Sequence, residues 1–224
     1  MTNKQKSGRP SWLQTVAILI IVAFLVTLVI LVAPRQPQNL YPAQVRNYEG
    51  VNLSSIGDVV ENAIKGTQYI NATTYHLNIT GIVASPLQLT YDEVVSDHQA
   101  YRKVVSLYCV EGWTTTILWE GVLIKDLLVE AGADMSSPVV IFRASDGYST
   151  ALPMDYIINK NILLAYKMNN LTIPNERGFP FQLVAESQYG YKWIKWITGI
   201  EVSKNADYLG YWESRGYPNN ATFR

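Results

Sequence analysis

The chain has a single cysteine, Cys109, and two histidines, His76 and His98. Disulfide frameworks need cysteines in pairs and Cys/His zinc clusters need four ligands, so both are excluded. Two histidines without a third partner give no support to a Ser-His-Asp triad and read as structural. Net charge is missing too: 18 Lys and Arg balance 18 Asp and Glu. A general grip on nucleic acid needs a basic surplus, so no nucleic-acid partner is expected. Charged residues make up 16% of the 224 positions and hydrophobic ones 48%, which excludes an intrinsically disordered chain. The chain contains no repeat, no low-complexity tract and no glycine-rich phosphate loop.

Aromatic residues, by contrast, are plentiful, with six Trp and fifteen Tyr, and they suit a strand-rich fold. One long apolar run extends from Val16 to Ala33 with Thr27 as its only polar residue. As a helix it would be roughly 27 Å long, about the thickness of a bilayer core. Leu31-Val32-Ala33 offers no small-x-small cleavage site, so the run reads as an uncleaved anchor over 12–33 rather than a secretory signal. Lys4, Lys6 and Arg9 precede it and only Arg35 follows closely. The positive-inside rule therefore predicts a single-pass protein of the cell membrane, with 1–11 cytoplasmic and the rest outside. Asn52, Asn71, Asn78, Asn170 and Asn220 each begin an Asn-x-Ser/Thr sequon, and these glycosylation candidates agree with an outside domain.

Residues 34–70 read as a stalk followed by a short amphipathic helix. Pro34, Pro37 and Pro42 stiffen the first part. Ser54 or Ser55 can cap a helix whose face carries Ile56, Val59, Val60, Ala63 and Ile64, closed by Gly66. From 71 to 224 the pattern predicts an α+β domain with strand predominating. Strands are expected over 75–83, 87–89, 103–110, 139–143, 148–152, 162–168, 181–185, 191–196 and 200–203. Short helices are expected over 122–131 and 154–158. Thr90 and Glu93 have the spacing of a capping box, and Asn169-Asn170 that of a hairpin turn.

Two segments can carry chemistry. Cys109 leaves a strand into the turn Glu111-Gly112; it is either a small buried hydrophobe or a metal-ligating thiol. Tyr189-Gly190-Tyr191-Lys192-Trp193-Ile194-Lys195-Trp196 sets two lysines among aromatics after a glycine. Its ammonium and backbone N–H groups suit an anionic phosphate, or the lysines simply snorkel from a solvated strand. Glu111 and Glu120 are either acid–base groups or solvated carboxylates, and Asp146 serves its turn.

In this order the segments resemble the sulfite oxidase superfamily of molybdopterin-binding oxidoreductases. Cys109-Val110-Glu111-Gly112-Trp113 with Trp119-Glu120-Gly121-Val122 resembles its metal-ligating segment. Asp146-Gly147-Tyr148, Leu152-Pro153 and 163–169 resemble its middle, and 178–184 with 189–196 its closing region. The resemblance implies molybdopterin with molybdenum as cofactor and Cys109 as the catalytic thiolate ligand. It also implies that Lys192 and Lys195 hold the pterin phosphate, with Tyr189, Gly190 and Tyr191 at the turn beside it. A soft thiolate suits this metal.

The Cys-Val-Glu run is closer to the bacterial periplasmic branch, which includes the catalytic subunit that reduces protein methionine sulfoxide. No Arg-rich, His-bearing segment is evident before the domain, so sulfite-binding arginines are not carried over. No haem-attachment motif is present, which implies a separate haem- or quinone-linked membrane redox partner. Lys6-Ser7-Gly8-Arg9 is not the twin-arginine signal that usually exports such proteins. Two readings stand at this point: an oxidoreductase transferring oxygen atoms to or from a sulfite- or sulfoxide-type substrate, or a non-catalytic, cofactor-free subunit of a membrane electron-transfer complex. Molybdenum content separates them.

Overall fold

A computed structural model describes residues 43–223, together with Trp12, Val16 and Leu19 of the N-terminal region. The anchor expected over 12–33 and the first part of the stalk otherwise lie outside the described residues. Among the described residues, no helix is long and apolar enough to cross a membrane.

The domain is built on two five-stranded sheets. In one the order is β10-β9-β6-β5, from Leu171–Thr172, Leu163–Met168, Thr114–Leu123 and Tyr101–Tyr108, with β11 (Gln182–Val184) also pairing β9. In the other it is β4-β3-β12-β7-β8, from Leu87–Thr90, His76–Gly81, Ile197–Ser203, Val139–Ala144 and Ser149–Pro153. All these pairings are antiparallel except β12 with β3. A single apolar cluster joins Ile79, Phe142 and Ile200 of the second sheet to Ile117, Trp119 and Leu164 of the first. Helices α2 (Ile124–Glu130) and α3 (Met154–Lys160) add Leu127, Leu128 and Ile157 to it. Burying each such side chain contributes about 1.5–3 kcal/mol, so this core fixes how the two sheets meet.

Local signals hold where the chemistry is local. Thr90 and Glu93 form a reciprocal capping box at the start of α1 (Tyr91–Ser96). Asn169 and Asn170 take φ of 46° and 67°, the left-handed pair that a two-residue hairpin turn requires. Asn169 is also buried: its Oδ1 accepts from Leu118 N, and its Nδ2 donates to Ser54 O.

Three expectations are corrected. The helix expected after Ser54 is one 3-10 turn, Ile56–Asp58, capped by Ser55, and residues 59–70 contain no α-helix. From 43 to 58 the chain is no free stalk but packs on the domain. A small hairpin, β1 (Asn47–Tyr48) with β2 (Val51–Asn52), precedes Leu53 and Ile56, both buried. Val45 N donates to Asn169 O, and Ser54 N to Thr116 O.

The second correction concerns β6, which the sequence pattern passes over. It lacks alternation because Ile117 to Leu123 are buried on both faces. The third concerns 191–196, expected as a strand. It is a 3-10 turn, Gly190–Lys192, followed by irregular chain in which only Lys195 is not buried.

Candidate functional site

β5 and β6 pair up to Tyr108 opposite Thr114, which leaves 109–113 as the loop between them. Cys109 N donates to Trp113 O and Gly112 N to Cys109 O, closing the loop tightly. Gly112 has φ +90°, a conformation that favours glycine. The turn thus sets the half-buried Cys109 thiol at the wall of a cavity of about 300 Å³.

Beside the thiol stands a carboxylate. Cys109 Sγ lies 3.7 Å from Glu111 Oε2, which also accepts from Trp113 Nε1 at 3.0 Å and from Asn62 Nδ2 at 3.1 Å. Those two hydrogen bonds hold the Glu111 carboxyl below its ordinary value. Partial burial, with Glu111 beside it, pushes the free Cys109 thiol up. Gly190 lies against the same loop: a Cβ there would stand 3.7 Å from Cys109 Cα.

Two cations line the same cavity. Arg177 follows Pro174 in a 3-10 turn, Asn175–Arg177, that ends at Gly178. Its Nε and Nη1 are buried without a hydrogen-bond partner. Buried donors are rarely left unpaired, so this guanidinium calls for an acceptor that a bound group would bring. Lys195 donates to Glu176 O at 3.2 Å and lies 4.2 Å from the centre of the Trp196 ring. Burial pulls its ammonium down to about 8; Arg177 adds to this, while Glu61, Asp146 and Glu176 oppose it.

Cys109, Gly190, Tyr191 and Lys195 therefore meet at one cavity, while Tyr189 and Lys192 do not line it. Tyr189 N bonds Ala221 O, and its ring packs on Phe223. Lys192 is 1% exposed and bound to Glu213, so its ammonium is not free for a phosphate as the sequence suggested. Nor does it snorkel from a solvated strand, because it is buried in a 3-10 turn.

The sequence pattern also missed Arg177, although it sits next to the Gly178-Phe179-Pro180 run. It missed Asn62, Trp212 and Tyr217 as cavity residues, for they come from distant segments. Glu120 is neither solvated nor in the site: it is buried and paired with Arg102 and Lys167. His98 pairs with Glu130, and Asp146 Oδ1 accepts from Tyr148 N within its turn.

The sequons Asn52, Asn71, Asn170 and Asn220 are exposed. Asn78 is half-buried within the second sheet, where its amide donates to Thr198 O and accepts from Gln88.

The family model for the oxidoreductase molybdopterin binding domain matches residues 64–212. The chain belongs to this family. It is similar to the uncharacterized oxidoreductase YuiH of Bacillus subtilis, with 33% identity over 66% of this chain and 75% of that one. It is also similar to the protein-methionine-sulfoxide reductase catalytic subunit MsrP of Gluconobacter oxydans, with 29% identity over 61% of this chain and 49% of that one. Against this second relative the chain thus spans about half the length. The solved sulfane dehydrogenase SoxCD of Paracoccus pantotrophus shares the fold, with a TM-score of 0.62 and 21% identity over 65% of this chain and 42% of that one.

This molybdopterin oxidoreductase domain is that of a molybdenum-cofactor enzyme, and the cavity fits the group. Cys109 offers the soft ligand, and the unpaired Arg177 donors with Lys195 offer a seat for the phosphate. The cofactor-free reading is set aside.

Proposed function

We propose that this enzyme reduces neutral sulfoxides. The observation that carries the reading is the Glu111 carboxylate, 3.7 Å from the Cys109 thiol. With Arg177 and Lys195 engaged by the cofactor phosphate, the charge left beside the thiol is the Glu111 carboxylate. A fixed carboxylate there disfavours sulfite or nitrate, while an uncharged S=O group meets no such repulsion. The catalytic role in the printed name of the Gluconobacter relative supports the same choice.

The net reaction is R₂SO + 2 H⁺ + 2 e⁻ → R₂S + H₂O: the S–O bond breaks, sulfur is reduced, and the oxygen leaves as water. When bound, the molybdenum cofactor supplies the two-electron oxygen-atom exchange. Cys109 holds the metal through its thiolate sulfur. Arg177 and Lys195 orient the cofactor by its phosphate. Asn62 and Trp113 keep the Glu111 side chain aimed at the thiol. Val60 and Val110, each 47% exposed, give the mouth an apolar rim for the hydrocarbon part of the substrate.

The proposal places the domain outside the cell membrane, anchored by 12–33, with a haem- or quinone-linked partner as reductant. The apolar run, its flanking lysines and the exposed sequons support this; protease added to intact spheroplasts should reach the domain. Purified holoenzyme with a reduced viologen dye tests the chemistry. Turnover of a dialkyl sulfoxide well above that of nitrate is expected, as is no sulfite oxidation with an electron acceptor. Glu111→Gln should relax the discrimination against nitrate. Sulfite oxidation as the faster reaction would overturn the assignment.

A further inference from the structure

After β12 the chain returns over the domain as a strap, 208–223, whose regular structure is one 3-10 turn, Glu213–Arg215, and the single bridge residue Thr222. Its backbone ties to the rest of the domain are sparse: Tyr211 N donates to Ser149 O, and Ala221 O accepts from Tyr189 N. Yet two strap residues, Trp212 and Tyr217, form part of the cofactor cavity wall. Their rings lie 5.2 Å apart, and the Tyr217 ring meets Tyr191 edge-on at 5.2 Å.

Side chains hold this wall in place, and one lysine does most of the holding. Lys192 Nζ lies 2.5 Å from Glu213 Oε1 and 3.0 Å from Asn219 Oδ1, and it donates also to Ala151 O of β8 at 3.2 Å. Glu213 and Asn219 bracket Tyr217 in the sequence, and Trp212 adjoins Glu213. Thr150 Oγ1 donates to the same Glu213 oxygen at 2.6 Å, and Tyr191 Oη to Pro218 O at 2.8 Å. Gly210 presses the strap on β8 so closely that a Cβ would come 2.3 Å from Ser149 O.

We propose that Lys192 is a positioning residue: it fastens the strap at Glu213 and Asn219, and so holds Trp212 and Tyr217 as the closing wall over the bound cofactor. The proposal rests on this cavity being the molybdopterin site. It assigns to Lys192 a mechanical role in cofactor retention in place of direct contact with the phosphate. A buried ion pair with these further hydrogen bonds to uncharged partners is geometrically specific, which suits a fastening more than a source of stability.

The test measures two quantities on full-length holoenzyme: the rate of molybdopterin release after dilution, followed by pterin fluorescence of the filtrate, and hydrogen exchange across 208–223. Asn219→Ala alters an exposed residue and leaves the buried pair intact. It removes two hydrogen bonds, Lys192 Nζ to Asn219 Oδ1 and Asn219 Nδ2 to Tyr208 O, and should speed strap exchange and cofactor release together, by at least about fivefold. The double variant Lys192→Met/Glu213→Leu removes both buried charges at once, so the fold is kept. It should release cofactor at least about tenfold faster, again with faster strap exchange. Lys192→Arg, which keeps the positive charge beside Glu213, should release cofactor more slowly than the double variant. Faster release from the double variant with strap exchange unchanged, and no effect of Asn219→Ala, would overturn the proposal and return Lys192 to the phosphate. Unchanged release in both variants would overturn it as well. Wild-type protein without any pterin would instead remove the cofactor reading on which it stands.

Discussion

The Sγ of Cys109 points its proton toward Oε2 of Glu111, 3.7 Å away, and the same oxygen accepts from Trp113 and Asn62. The one thiol of the chain therefore faces the cavity next to a fixed carboxylate, and it is neither buried in the apolar core nor free on the surface.

Cys109→Ser should abolish turnover while the fold survives. A half-buried cysteine at a loop contributes about 1 kcal/mol or less to stability, so melting should barely move. Part of the pterin should remain, because the phosphate contacts do not involve the thiol. The electron paramagnetic resonance spectrum of the metal should change, since a sulfur donor is replaced. A variant with both wild-type spectrum and wild-type turnover would remove Cys109 from the site.

Arg177→Gln and Lys195→Ala should each lower molybdenum occupancy after purification. A charge-assisted hydrogen bond contributes about 1.5–3 kcal/mol, so a loss of tenfold or more in cofactor affinity is expected. Arg177→Gln should not destabilise the apo-protein, because its buried donors are unpaired there. Binding of the phosphorylated pterin to apo-protein should also weaken as pH rises past about 8, where the Lys195 ammonium of the apo-protein loses its proton. Titration of apo-protein with molybdopterin at pH 7 and pH 9 measures both effects.

Gly121→Ala should unfold the first sheet locally or block expression. β6 shifts register against β9 between Glu120 and Gly121, and a Cβ at 121 would come 2.2 Å from Leu164 O and 2.6 Å from Ala165 Cα. The β9 backbone cannot yield cheaply, so a loss of about 3 kcal/mol is expected in urea unfolding.

His98 gives a pH-dependent contribution. Burial works against its charge, but the Glu130 carboxylate at 2.7 Å and the Glu93 carbonyl outweigh it, and its pKa is raised. A raised histidine stabilises the fold fully below its unfolded value, about 6.5, and loses that contribution as pH rises through the folded value. The melting temperature of His98→Gln should therefore fall below wild type at pH 5.5 and converge with it at pH 9. The difference at low pH should stay within about 1 kcal/mol.

The sequence by itself determined the elements whose physics is local and the family to which the domain belongs. Thr90 and Glu93 cap α1, Asn169-Asn170 turns a hairpin, and β7 and β8 follow their apolar patterns because neighbours in sequence settle each of them. Cys109 stood out as a candidate through the resemblance of its Cys-Val-Glu-Gly-Trp segment to the family, because a lone thiol by itself reads equally as a small apolar side chain. Tertiary structure decided what depends on contacts remote in sequence. β6 carries no alternation because both its faces are covered, and a run of buried residues in sequence does not say what covers it. Lys192 and Lys195 look alike in sequence, three residues apart among aromatics. Only the return of the chain from 208 to 223 binds one to Glu213 and leaves the other on the cavity wall beside Arg177. A lysine's partner lies wherever the backbone brings a carboxylate within reach, and no local pattern carries that information.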